Sequence, residues 1–496
     1  MRKEKIYEIL FFLILFLIIL STILLKPLDD LDEIWNYNFA RNIATGLIPY
    51  KDFNIVVTPL LSIICGIILR ITFNQLFVMR ILAALLCSAI IYITYKLFNV
   101  LNIKKEVSII FTFFIGYLFN DILCIDYNYG SLLLVLIIIY LEIQEYKKDN
   151  IFIKLNTKKD ILLGILAGLA ILTKQTSGLL ISIVVLGNKL LFIRNKKEFK
   201  LYLKSFLYRL IGLLIPVCVF LIYLLINNAF WDFINYTIMG IADFKNTIEY
   251  KTLIKFDLLG VISILVPITF VYAWVKSIVL EKDRKEYVLL VYGLSIFVIC
   301  FPISNKIHFL IGALPTIIIL LYELYNLYNL IKKKVKILNK ERINEFILLT
   351  INYIIILFII YDFSINIYNY IIQKDNFSVL KHYKNIIISE NLEGEILNIN
   401  QYIKNNGDVK ILDSSAGVYM IPLDRTNKDY DMLNKGNLGF NGEERIINEI
   451  SNSKNIKYLI LKDEFPRNWQ TPMKVINYVK ENKTKVGEIA IYNVYE

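Results

Sequence analysis

Long uncharged apolar runs constrain this chain more than any other feature. The first, 6–25, carries no charge after Glu8. Similar runs recur at 76–98, 107–123, 128–143, 160–173, 177–193, 206–227, 257–279, 287–303, 308–327 and 344–364. About 17–25 apolar residues in a helix match the thickness of a bilayer's hydrocarbon core. A backbone in hydrocarbon must satisfy its own hydrogen bonds, which leaves a helix as the natural form of each run. With 56% of its 496 residues hydrophobic, the chain reads as a polytopic α-helical membrane protein of about eleven transmembrane helices. Runs 160–173 and 177–193 are short for spans, and "TKQTSG" (173–178) between them leaves room only for a tight turn. The first run lacks a small-residue cleavage site and reads as a signal anchor.

Segment 57–72 decides the orientation. As a helix it reaches only ~24 Å, and it carries Arg70. If it crosses, every later loop changes side. If it does not, Lys and Arg concentrate in loops 99–106, 144–159, 189–205, 280–286 and 328–343, the last containing "KKKVK" (332–336). The opposite side then holds few basic residues, among them Lys26, Arg41, Lys51, Lys245, Lys251 and Lys255. The excess of basic residues in cytoplasmic loops selects this second arrangement. Segment 57–72 is therefore expected as an interfacial or re-entrant helix, with a cytoplasmic N-terminus and an external C-terminus. The same loops account for the net charge of +12. No basic stretch carries interleaved aromatics, so membrane lipid is an expected partner and nucleic acid is not. The excess of Ile, Asn, Lys and Tyr is that of an AT-rich bacterial genome, which makes the bacterial plasma membrane the expected location.

The composition changes from about residue 365. The expected division is a membrane domain at 1–370, whose first external loop spans 26–75, and an extracytoplasmic α/β domain at 371–496. In the tail, 408–415, 456–464 and 486–496 read as strands, and 395–406, 442–452 and 471–482 read as amphipathic helices. "GNLGFNG" (436–442) follows no expected strand and reads as an ordinary glycine-turn loop. Cys65, Cys87, Cys124, Cys218 and Cys300 all lie in or beside apolar runs, which argues for packing rather than disulfides. His308 and His382 are the two histidines, too few for a histidine-based metal site.

Polar residues collect on the expected outer face. "LDDLDEIW" (28–35) places four carboxylates directly after the first run. Asp121 and Asp126 flank the second outer turn and Lys174 the third. Trp231, Asp232, Asp243 and Lys245 lie in loop 228–256, and Lys306 and His308 precede the tenth run. Ionisable groups are costly near hydrocarbon, so their gathering on one face points to a site. Each also has a plainer reading: Asp29 and Asp30 as solvated loop residues, Asp121 as a helix cap, Lys174 as a snorkelling side chain, His308 as an interface residue.

The stretch Asp32-Glu33, Ala40, Gly46, Pro49-Tyr50-Lys51-Asp52, Pro59-Leu60 resembles the first external loop of the GT-C superfamily of membrane glycosyltransferases. The bacterial branch related to protein O-mannosyltransferases and the lipid A aminoarabinose transferase is the nearest in pattern. "GILAGLAILTKQTSG" (164–178) resembles the family's glycine-rich fifth span ending in a lysine. "NKIHFLIGALP" (305–315) resembles its Lys…His-Tyr…Pro segment, with Phe309 and Gly312 as departures. The resemblance covers about residues 1–330 and leaves the tail outside. It implies a polyprenyl-phosphate sugar donor and an acceptor hydroxyl on a glycan, lipid or protein. It also implies Asp32 as catalytic base, Glu33 as an orienting residue, and Asp126 as second acid with Asp121 its rival. Lys174, Lys306 and His308 are then the groups expected to stabilise the leaving phosphate, and Tyr50, Lys51 and Asp52 would shape the pocket. Some members of the superfamily use a divalent metal, but the mannosyl and aminoarabinose branches resemble metal-free enzymes, so no cofactor is expected. The competing readings are a transporter or flippase of lipid-linked sugars and an envelope polysaccharide polymerase or ligase. Against transport, no internal repeat is seen and the acids sit at the edge rather than mid-membrane.

Overall fold

The computed structural model describes residues 2–28, 31–145, 155–240, 248–280, 283–334, 341–463 and 471–496. Asp29, Asp30, Asp243, Lys245 and Lys336 lie outside the described residues.

Helices form at every expected apolar run. In chain order they are α1 (Arg2–Leu24), the loop helices α2 (Leu31–Ala44) and α3 (Leu60–Ile71), then α4 (Leu76–Val100), α5 (Lys105–Phe119), α6 (Tyr127–Ile143), α7 (Thr157–Thr173), α8 (Gln175–Gly187), α9 (Lys196–Ile226), the short α10 (Phe230–Ile234), α11 (Leu258–Trp274), α12 (Arg284–Phe297), α13 (Lys306–Lys334) and α14 (Glu341–Ile372). Among the described residues, seven are long and apolar enough to cross a membrane: α1, α4, α8 with its 3-10 extension, α9, α11 with its terminal π turn, α13 and α14. Helices α5, α6, α7 and α12, at 15, 17, 17 and 14 residues, are shorter than that. Four of the cysteines are buried, while Cys218 lies on the exposed flank of α9, contrary to the packing expected for it.

Glycines set the closest helix contact. A Cβ on Gly164 of α7 would stand 2.0 Å from the Arg209 carbonyl of α9, and one on Gly212 of α9 would stand 2.2 Å from the Ile161 carbonyl of α7. Bare glycines let the two backbones touch, as small residues do where no hydrophobic force separates helix from lipid. Buried ions hold the same pair of helices. The Arg209 guanidinium bonds Asp160 at 2.9 Å and Glu142 of α6 at 2.8 Å.

Segment 57–72 forms the 12-residue α3. It packs under α2 at Gly66, where a Cβ would stand 2.8 Å from the Ala40 carbonyl. Ile64, Ile67, Ile71 and Phe73 are exposed on its other side. At 12 residues α3 is shorter than the helices long enough to cross a membrane, and its outward side is apolar.

The tail carries α15 (Glu390–Asn406), α16 (Gly417–Met420), α17 (Gly442–Asn452) and α18 (Met473–Asn482) around a four-stranded sheet. Its strands are β1 (Val409–Ile411), β2 (Lys457–Leu461), β3 (Lys485–Ile489) and β4 (Tyr492–Tyr495), in the order β1-β2-β4-β3. β1 and β2 are parallel, and β4 runs antiparallel to β2 and β3. The single strand expected over 486–496 is instead a hairpin. Residues alternate across the sheet: Tyr458 and Ile460 join the core under α17 and α18, while Leu459 joins the core shared with α15 and the helix bundle.

A candidate active site at one end of the bundle

α2 carries the acidic pair and is buried despite its polar composition. Its burial rests on partners supplied by distant parts of the chain. Trp35 Nε1 donates to the Ser414 carbonyl at 2.9 Å, Arg41 pairs with Asp424 at 3.4 Å, and Thr426 Oγ1 donates to Asn42 Oδ1 at 2.8 Å. Leu28 N donates to the Ile387 carbonyl at 2.9 Å and Leu76 N to that of His382 at 2.9 Å. The tail therefore roofs α2, and α3 floors it.

The two members of the acidic pair do different things. Glu33 is buried and fully engaged: Arg80 Nε and Nη2 donate to its two oxygens at 2.9 Å each. Arg80 also donates to the Lys26 carbonyl at 2.5 Å, so the ion pair pins the start of α2 to α4. Asp32, one residue earlier, is only part-buried. Its backbone carbonyl accepts from Asn36 Nδ2 at 2.8 Å, and the same amide group reaches Asp126 Oδ2 at 3.4 Å. The Asn36 side chain thus bridges the Asp32 backbone and the Asp126 carboxylate.

Asp126 is the N-cap of α6, its Oδ1 accepting from Asn128 N at 2.7 Å. Burial pushes its carboxyl above the ordinary range, with the Asn128 N–H and the Lys174 charge pulling it back. Lys174 is the single non-helical residue between α7 and α8, closing one and opening the other. The turn is that sharp because Gly178 packs on the last turn of α7, where a Cβ would stand 2.3 Å from Ile171 N. The Lys174 ammonium donates to Asn128 Oδ1 at 2.5 Å and lies 5.4 Å from the centre of the Tyr127 ring. Burial pushes it down to about 8, with Asp126 acting the other way. His308 lies within electrostatic reach of Lys174, its Nδ1 2.7 Å from Asn305 Oδ1. Gln175 fixes the turn to the first loop: Nε2 donates to the Val56 carbonyl at 2.8 Å, and Oε1 accepts from Thr58 N at 3.2 Å.

The remaining sequence candidates are engaged with other partners. Lys306 and Asp121 pair with each other at 2.6 Å, both substantially exposed. Lys26 donates to the Leu123 carbonyl beside them at 2.7 Å. Tyr50 is buried at positive φ, its hydroxyl donating to the Val57 carbonyl at 2.8 Å. Lys51 donates to the Asn227 carbonyl at 3.2 Å, and Asp52 caps Ile48 N at 2.7 Å. These three close a turn against α9 and α10 rather than facing Asp32. Among the described residues, no group of three or more His, Cys, Asp or Glu is placed to hold a metal ion. Sequence reasoning passed over Asn36, Tyr127, Asn128 and Arg80. Asn36 carried a legible signal, four residues after Asp32 and so on the same helix face.

An apolar cavity of about 520 Å³ lies between α1, α4, α5 and α14, with Ile19, Ile91, Phe113 and Phe358 in its walls and Asn120, next in sequence to Asp121, and Leu123 also lining it.

One solved structure of similar overall course is the oligosaccharyltransferase of Archaeoglobus fulgidus, crystallised with zinc and sulfate. It is 12% identical, with a TM-score of 0.42, and the match covers 80% of this chain and 55% of that one. This chain thus spans about half the length of that protein. No protein-family model and no curated protein matches the sequence.

Proposed function

We propose that this chain is a membrane glycosyltransferase that moves a sugar from a polyprenyl-phosphate donor to an acceptor hydroxyl at the outer face of the bacterial plasma membrane. The observation that supports the reading is that Asn36 links the Asp32 carbonyl to Asp126, and Asn128 links Asp126 to Lys174, at the end of a bundle of apolar helices. Asp32 takes the proton of the acceptor hydroxyl as that oxygen bonds to the anomeric carbon. The bond from that carbon to the phosphate oxygen breaks, and the electron pair leaves with the lipid phosphate. Lys174 faces the growing negative charge, and its burial strengthens the interaction. Asp126 holds Asn36 and Asn128, and through them the spacing of Asp32 and Lys174. The apolar cavity receives part of the polyprenyl tail, with Lys306 and Lys26 beside its mouth. The eleven crossings, the external site and the external tail follow from the basic loops, and the loop pattern around Asp32 supports the same family of reactions.

The test is transfer from a polyprenyl-phosphate sugar by purified protein. Asp32→Asn is expected to abolish transfer while leaving thermal stability close to wild type. Near-wild-type turnover in that variant would remove Asp32 from the role of base. Mass spectrometry of envelope glycans in a deletion strain identifies the sugar and the acceptor.

A further inference from the structure

Asn128 is bonded to both charged groups, Asp126 and Lys174, and is only 2% exposed. Its backbone N–H donates to Asp126 Oδ1 at 2.7 Å, and its side-chain Oδ1 accepts from the Lys174 ammonium at 2.5 Å. An ammonium donates and never accepts, so the amide oxygen is the end that faces Lys174. The N–H end is then left for the acid, and the backbone and side chain of Asn128 both pull the Asp126 carboxyl down. One neutral residue therefore touches both charges, each with the end of matching polarity.

The residues that follow Asn128 fix its place. A Cβ on Gly130 would stand 2.9 Å from Thr173 Cγ2, so the first turn of α6 lies directly on the last turn of α7. Ser131 Oγ and Ser177 Oγ are 2.9 Å apart, which ties the same part of α6 to the start of α8. Residues 128, 130 and 131 of α6 thus meet residues 174, 173 and 177. A side chain set by packing of this kind is in place before any ligand arrives.

Among the described residues, Lys174 pairs with no carboxylate: its ammonium contacts the Asn128 amide and the face of the Tyr127 ring. The other groups that face it are Asp126 of α6, Cys300 just beyond α12 and His308 of α13. A lysine bonded directly to Asp126 would have its charge answered inside the protein. We propose that Asn128 is a positioning residue that holds the Lys174 ammonium by a neutral oxygen, apart from Asp126, so that an anionic group of the substrate answers its charge instead. That the anion is the leaving lipid phosphate rests on the transferase reading; the separation of the two charges does not.

The experiment uses full-length protein in detergent. Competitive labelling with acetic anhydride across a pH series, read by mass spectrometry on the Lys174 peptide, gives the pKa of this amine with no substrate present. In wild type it is expected at about 8. Asn128→Asp is nearly isosteric and sets a carboxylate against the ammonium, so it should raise that pKa by about 1–3. Asn128→Leu keeps the volume and removes the oxygen, so it should lower that pKa by about 1. A merely structural role would not move the two variants in opposite directions. In a transfer assay at pH 7, Asn128→Asp should reduce kcat/KM at least about tenfold and carry its alkaline limb to higher pH. Unchanged titration of Lys174 in both variants overturns the proposal, as does a wild-type Lys174 that titrates in the ordinary lysine range. Wild-type kcat/KM in Asn128→Asp overturns it too, because the charge is then not reserved for substrate. Should the wild-type protein transfer no sugar, the labelling alone decides the role of Asn128, and only the identity of the anion falls.

Discussion

Lys174 shows how position sets chemistry at the scale of one residue. It is the sole non-helical residue between two helices, and burial lowers its pKa to about 8. The groups that face it are Asp126, Cys300 and His308. Two consequences of opposite sign follow. On the proposed function the charged Lys174 ammonium is present below about pH 8, so kcat/KM should fall as pH rises through about 8, and Lys174→Arg should move that limb to higher pH. A lysine whose pKa drops on folding opposes the folded state wherever the unfolded chain holds the proton more tightly. Its penalty is full below about pH 8 and relieved above it, towards the ordinary lysine range. Lys174→Met should therefore be more stable than wild type at pH 7 and inactive, which thermal unfolding and a transfer assay check together. Glu33 makes a contrasting case. Its partner Arg80 is fully buried, so Arg80→Met leaves a carboxylate stranded and should cost about 3–5 kcal/mol of stability. Adding Glu33→Gln to it should restore much of the loss in urea unfolding.

At the scale of elements, α7 and α9 approach through Gly164 and Gly212, and each would bring a Cβ into a backbone carbonyl. Gly164→Ala should force the helices apart at a cost of about 1–3 kcal/mol, seen as a lowered Tm in detergent, and Ala at the open Gly116 should be nearly neutral. The helices were legible because apolar length needs no partner to be recognised. The tail's helices 442–452 and 471–482 were legible for a related reason, since their amphipathic period is local. The hairpin β3–β4 was read as one strand because its turn at Ala490 and Ile491 lacks the usual glycine-asparagine chemistry. Asp32 and Lys174 could be singled out because each is an ionisable residue beside an apolar run, which the sequence shows by itself. The site was not legible where meaning comes from a distant partner. Nothing local says that Glu33 meets Arg80, that Asp121 meets Lys306, or that the Tyr50–Asp52 turn faces α9.

At the scale of the molecule, the tail is bound into the site. Trp35, Arg41 and Asn42 of α2 all bond residues between 414 and 426. Removing residues 375–496 should uncover α2 and its buried polar groups. The truncated protein is expected to lose transfer activity and to become sensitive to protease within the first loop, measured against the intact chain in the same detergent. A truncated chain that retained both would make the tail a separable attachment. The apolar cavity has the same long-range character, for its walls are the first membrane helix and the last, with α5 between them. In the order of synthesis, α1 enters the membrane with one side of that cavity bare and keeps it so through more than 300 further residues. That cavity is complete only once α14 has left the ribosome, and α2 meets Ser414, Asp424 and Thr426 only once the tail has been made. On the proposed function, a chain built this way stays silent until both α14 and the tail have been made.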